Sequence, residues 1–184
     1  SKRENFRFFK NKMIKINQKL GMLFLFTGLP GTGKTTLAKR VIKKIRTKFG
    51  PTLLINGDDI RNIFNLKKYS PKEREKVDRA YGNLIKFITN QKINLLFTTV
   101  FLENKFIKKN LILKKCIRVH ITANYLTRYK FKKNIYKLKK NVPGINFKVN
   151  RPKKVLISLN NDVNKNLNFL EKEFWKKLNK ISIS

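Results

Sequence analysis

A chain of 184 residues has room for one domain of ordinary size, and a hydrophobic content of 41% is too high for a disordered polymer. The single cysteine, Cys116, excludes an intrachain disulfide, and with the single histidine, His120, it cannot supply the roughly four ligands of a structural zinc site. Lys plus Arg number 45 against 10 Asp plus Glu, a formal net charge of +35. A basic surface of this kind attracts polyanions such as RNA, DNA or anionic lipid. A compositional bias towards Lys, Asn, Ile and Phe explains it equally, and the scatter of lysines over every segment favours that source. Arginine, the better residue for forked phosphate contacts, is the minority cation. No apolar run reaches the roughly 18 residues that span a bilayer. Residues 1–21 are basic, with no apolar core ending at a small-residue cleavage site, so a cytoplasmic location is expected.

Residues 1–21 read as a basic extension in which Phe6, Phe9, Met13, Ile16 and Leu20 recur at helical spacing. From Met22 the pattern alternates strand and helix. Residues 22–27 form a continuous apolar run, as in a parallel strand buried on both faces. A glycine-rich turn follows, then a helix from Lys34 to about Lys48, ended by Gly50-Pro51. Residues 52–55 are a second strand, and a short helix is expected over 59–65. Ser70-Pro71 with Glu73 marks the start of a helix to about Asn90, serine as cap and proline at the first position. Residues 93–100 are a third strand, 105–113 a short helix and 117–122 a fourth strand, which holds His120. Residues 124–140 are a lysine-rich helix, 155–159 a fifth strand and 162–178 a final helix. Such alternation gives an α/β fold, a parallel sheet with helices on both faces.

Gly28-Leu29-Pro30-Gly31-Thr32-Gly33-Lys34-Thr35 matches the complete P-loop pattern. The glycines let backbone N–H groups turn towards phosphate without side-chain clash. Lys34 supplies a point charge to the β and γ phosphates, Thr35 a hydroxyl to Mg2+, and the helix that begins there its positive end. The apolar strand before the loop and the amphipathic helix after it are the required context. The motif predicts binding of ATP and transfer of a phosphoryl group.

Asn56-Gly57-Asp58-Asp59-Ile60-Arg61 follows the second strand, where open α/β sheets bind ligands. A carboxylate there can accept the acceptor's hydroxyl proton or organise Mg2+-bound water. Apart from Glu4, no acid precedes Asp58, and none lies between Glu103 and Asp162. Asp58 is the expected catalytic group and Asp59 the expected helix cap. Arg61 and Arg74 flank the mouth of that strand and suit an anionic substrate.

At these residues the chain resembles the adenylyl-sulfate kinase family, which phosphorylates the ribose 3′-hydroxyl of adenosine 5′-phosphosulfate. The resemblance runs from Met22 to about Leu159. It covers the loop through Thr36, Leu37 and Ala38, and the family's Asp-Gly-Asp-Asn-Ile-Arg, here 56–61. It implies Asp58 as catalytic carboxylate and Arg61 as substrate contact. The family's Ser-x-x-Asp-Arg corresponds to Ser70 through Arg74 and implies Arg74 as a second contact. The Lys-Gly-Leu-Tyr lid motif corresponds loosely to Lys133-Asn134-Ile135-Tyr136, which points to Lys133. Gly144-Ile145-Asn146-Phe147 stands for a segment that would stack Phe147 on the substrate base. There are departures. Val77 replaces a family asparagine, 101–103 replaces an Ile-Ser-Pro segment, and the lid is two residues longer between Arg128 and Lys133. Each is expected to face the acceptor nucleotide, not ATP.

The resulting expectation is a three-layer P-loop kinase fold, a five-stranded parallel sheet with a basic lid over about 124–150, preceded by the extension at 1–21. ATP would contact Gly28 through Thr36, with Arg128 and further lid cations over its γ-phosphate. Lys34 and Asp58 would catalyse, and Mg2+ would bind at Thr35. The acceptor would be a small anionic nucleotide, adenosine 5′-phosphosulfate first and cytidine diphosphoramidate, the substrate of a known relative, second. No membrane partner, only non-specific nucleic-acid binding and a homodimer complete the expectation. The rival classes are a nucleic-acid-binding protein with a vestigial loop and a polynucleotide 5′-kinase.

Overall fold

Five short apolar runs, bounded by turn-forming residues, become the five strands of one sheet. The computed structural model describes residues 20–66, 69–102, 104–107, 115–138, 141–149, 152, 154–162 and 167–181. Its strands are β1 (Leu23–Thr27), β2 (Thr52–Asn56), β3 (Asn94–Thr99), β4 (Cys116–Thr122) and β5 (Ile157–Asn160). Neighbours pair parallel in the order β2-β3-β1-β4-β5. Parallel pairing requires long crossovers. These carry the helices α1 (Lys34–Phe49), α2 (Gly57–Ile63), α3 (Pro71–Asn90), α4 (Asn104–Ile107) and α5 (Tyr125–Tyr136), and α6 (Leu167–Leu178) follows β5.

The period-two alternation of β1 divides the core between the two faces of the sheet. Phe24 and Phe26 enter one cluster with Leu37, Val41 and Ile45 of α1 and Phe174 of α6. Leu23 and Leu25 enter the other with Val77, Tyr81 and Ile85 of α3. All five residues of β1 are buried, as its unbroken apolar run requires. The α3 start is as expected: the Ser70 hydroxyl accepts from the Glu73 N–H at 3.4 Å, with Pro71 in the first turn.

Three boundaries or roles differ from expectation. β2 runs on through Asn56, and α2 begins at Gly57 because Asn56 caps it, accepting from the Asp58 N–H at 3.4 Å. Asp59 is therefore not the cap; its carboxylate accepts from the Asn56 amide at 3.4 Å. The expected helix over 105–113 is described only as α4, since 108–114 lie outside the described residues, as does Glu103. The final helix is described from Leu167, with 163–166 outside, and of the basic extension only Leu20 and Gly21 are described.

Val77 carries the largest correction. It is 2% exposed and packs in the α3 core, so it does not face a nucleotide. Val77→Asn should thus act on stability rather than on substrate choice. Burying an amide there without a partner should cost about 1–3 kcal/mol, read as a lower denaturation midpoint with an unchanged m-value.

Candidate active site

The carboxyl ends of the strands open into one cavity of about 1210 Å³. Residues at or just after the ends of β1, β2, β3 and β5 line it, together with the start of α3 and one side of α5. β1 lies between β3 and β4, so the loop after it occupies the point where chain order reverses along the sheet, the usual ligand crevice of an open α/β sheet.

The glycine-rich loop fills the β1 end. Gly28, Gly31 and Gly33 all have positive φ, at 152°, 81° and 89°. At Gly31 a side chain is excluded twice over, by that φ and because an added Cβ would lie 2.6 Å from the Arg128 carbonyl oxygen. α1 starts at Gly33 with no side-chain cap, which leaves its first-turn N–H groups for an anion. Pro30, Gly31, Gly33, Lys34, Thr35 and Thr36 line the large cavity. Gly28, Leu29 and Thr32 face a smaller one of about 200 Å³ behind the loop. The Lys34 ammonium folds back to donate to the Leu29 carbonyl at 2.9 Å. Burial pushes its pKa down to about 8, the Asp58 carboxylate opposes that shift, and the Lys132 charge adds to it.

Asp58 lines the cavity from the first turn of α2, close enough for its charge to act on both Lys34 and Tyr81. Tyr81 is buried and donates to the Gly57 carbonyl at 2.6 Å; burial pushes its phenol up to about 12. Beyond Tyr81 stand the two predicted arginines. Arg61 is buried, donates to the Leu66 carbonyl at 3.0 Å and lies 4.6 Å from the centre of the Tyr69 ring. Arg74 donates to the carbonyls of Tyr69 and Asn141, at 3.0 and 2.8 Å, and lies over the Phe147 ring at 4.4 Å. Burial, and then the neighbouring Arg61 charge, push the Arg74 pKa down. Two guanidinium groups thus lie over two aromatic rings at this end of the cavity, Arg61 and Arg74 over Tyr69 and Arg74 also over Phe147.

The structure thus brings Lys34, Thr35, Asp58, Arg61, Arg74 and Phe147 to one cavity. Two lid positions fall elsewhere. Lys132, where the helix kinks at φ −139° and ψ 40°, lines the cavity, whereas Lys133 is exposed and does not. Arg128 is buried and turned towards protein: its guanidinium donates to the Tyr136 hydroxyl at 2.8 Å and to the Ala123 carbonyl at 3.1 Å. In this conformation Arg128 ties α5 to itself and to Ala123 at the end of β4 and does not line the large cavity. Of the further lid cations expected up to Lys140, Lys130 and Lys132 line the cavity; Lys139 and Lys140 lie outside the described residues. Sequence reasoning passed over Tyr69 and Asn161. The strand-end rule could have found Asn161, which directly follows β5. His120 is a strand residue, as expected, its Nδ1 lying 3.1 Å from the Thr27 hydroxyl. Among the described residues no cluster of His, Cys, Asp or Glu could hold a metal by itself, and no helix is long and apolar enough to cross a membrane.

A family model for adenylylsulphate kinase matches residues 20–160. The chain belongs to that family. It is therefore a phosphotransferase of the P-loop class. It is similar to the cytidine diphosphoramidate kinase of Campylobacter jejuni, 25% identical over 148 residues that cover 77% of this chain and 86% of the relative. It is also similar to the adenylyl-sulfate kinase of Clostridium acetobutylicum, 29% identical over 167 residues, 86% of this chain and 80% of the relative. In three dimensions it matches the Mycobacterium tuberculosis APS kinase CysC in complex with AMPPNP and APS, with a TM-score of 0.71. That match covers 89% of this chain and 100% of the other at 19% identity, and so speaks for the fold alone.

As a member of this kinase family the chain uses ATP. Mg2+ is the metal such chemistry employs, and the donor set fits it. Mg2+ takes hard oxygen ligands and keeps only one or two from protein, the rest coming from phosphate and water. The Thr35 hydroxyl and the Asp58 carboxylate are such oxygens on the cavity wall.

Proposed function

We propose that this protein transfers the γ-phosphate of ATP to a hydroxyl of a small nucleotide that carries an anionic 5′ group. The observation that carries the reading is the row of groups lining one cavity: the charged Lys34 on the phosphate loop and Asp58 near it, the neutral Tyr81 hydroxyl, then the charged Arg61 and Arg74. ATP occupies the loop end, and the acceptor's base and anion occupy the end with Tyr69, Phe147, Arg61 and Arg74. The acceptor hydroxyl attacks the γ-phosphorus in line and ADP leaves, while the Asp58 carboxylate orients the hydroxyl and accepts its proton. Lys34 and the loop N–H groups neutralise charge on the phosphates. Thr35 would hold Mg2+, which supplies further neutralisation at the β and γ oxygens when bound.

Adenosine 5′-phosphosulfate is the first acceptor by family. Cytidine diphosphoramidate is the second, favoured by the similarity to the Campylobacter jejuni kinase over most of both chains. The test is turnover of ATP against a nucleotide panel that includes both, with products identified by mass. ADP formed with one acceptor and a product heavier by one phosphate is expected. Absence of ADP formation with every nucleotide sinks the reading, and nanomolar binding of random RNA at physiological salt would favour a nucleic-acid role instead.

The arginine pair gives a sharper expectation. Arg74→Ala should weaken acceptor binding by roughly 1.5–3 kcal/mol, the scale of a charged hydrogen bond. ATP affinity should stay unchanged, because Arg74 touches Tyr69, Asn141 and Phe147 and no part of the loop. Calorimetric titration of each ligand separates the two effects.

A further inference from the structure

Two carbonyl groups of the phosphate loop, those of Pro30 and Thr32, are held from outside the loop. The buried Tyr136 hydroxyl, from the last residue of α5, donates to the Pro30 carbonyl at 2.8 Å while accepting from the Arg128 guanidinium at 2.8 Å. The Asn161 side-chain amide, also buried, donates to the Thr32 carbonyl at 3.1 Å. In a planar trans peptide the carbonyl of one residue and the N–H of the next point in opposite directions. Fixing the Pro30 carbonyl therefore fixes the Gly31 N–H, and fixing the Thr32 carbonyl fixes the Gly33 N–H. Those two residues have positive φ and no side chain to restrain them, so hydrogen bonds from elsewhere must set their peptide planes. The α5 backbone is packed against the same turn, leaving no room for a Cβ at Gly31.

We propose that Tyr136 and Asn161 are positioning residues of the phosphate loop, holding the Gly31 and Gly33 N–H groups towards the phosphates of ATP. Asn161 does so from the carboxyl end of the sheet. Tyr136 does so from the far end of the lid helix, which makes the aim of the loop depend on how that helix is seated. Donors aimed in advance need no reorganisation when charge arrives, and this is where their worth lies. The inference rests on the reading of the loop as the phosphate site of ATP.

The test compares ATP with tripolyphosphate, which has no base, on the full chain in about 0.3 M salt to screen non-specific attraction. Tyr136→Phe keeps the ring and the net charge and removes only the hydroxyl. It should weaken both ligands by a similar factor, about tenfold. Asn161→Ala should do the same through the neighbouring peptide, and it carries the test alone if Tyr136→Phe does not fold. Equal binding by wild type and both variants overturns the inference. So does a loss on ATP without one on tripolyphosphate, which would place the effect at the base. Failure of the wild type to bind either ligand instead overturns the phosphate-site reading itself.

Discussion

Asp58→Asn should lower kcat by about 100-fold or more while leaving the KM for ATP nearly unchanged. The carboxylate lies on the exposed first turn of α2, and its N–H, not its side chain, serves the cap through Asn56. The substitution keeps size and hydrogen-bonding capacity, so folding should not be affected. What it removes is the charge that orients the acceptor hydroxyl and takes its proton. Steady-state rates with both substrates varied check this. A variant that retains wild-type kcat would assign proton removal to another group, and Asp78, which also lines the cavity, would be next to test.

Lys34→Ala should cut transfer by about 100- to 1000-fold, the loss seen when one donor to transition-state charge is removed. The ammonium's hydrogen bond in the free protein goes to the Leu29 carbonyl, within the same loop, so the fold should survive and thermal melting should confirm it. A pH arm makes the prediction specific. In the free protein burial holds the Lys34 pKa at about 8, and phosphate oxygens bound beside it should raise that value. The protonated form is the one that binds, so ATP affinity is full below about pH 8. Above it the affinity falls as the free protein gives up its proton, nearly tenfold per pH unit until the pKa of the complex is reached. Calorimetry up to about pH 9.5 should show that slope in the wild type and a flat profile in Lys34→Ala. A sloping profile in the variant would assign the titration to another group.

The fold and the gathering of Lys34, Thr35, Asp58 and Arg61 at one cavity were legible in the sequence because their signals are local. β1, the loop and α1 are contiguous, and so are β2, Asp58 and Arg61, so strand polarity alone carries these residues to one edge. The cap of α3 is written in Ser70, Pro71 and Glu73. The lid was legible less well. Arg128 reads as a free cation until Tyr136 is placed against Pro30, a contact between residues 106 apart. Lys132 and Lys133 exchange places because the helix kinks at Lys132, a backbone event that no motif encodes. Val77 is the instructive case. Val77, Tyr81, Ile85 and Ile88 form an apolar stripe at helical spacing, all of it buried. That periodicity fixes which side of α3 meets the sheet, and it outweighs the alignment of Val77 with a polar family position.

The strand order sets which parts of the molecule can open independently. β1 is hydrogen-bonded on both sides and covered on both faces, so its amides have no route to solvent short of unfolding the whole domain. The root of the phosphate loop therefore exchanges its amide hydrogens at the rate set by global stability. α5 and β5 belong to the other regime: among the described residues β5 is a four-residue strand at the sheet edge, paired with β4 alone, and α5 presents Tyr125, Leu126 and Phe131 to solvent. Native-state hydrogen exchange should therefore show the amides of α5 and β5 exchanging well before those of β1.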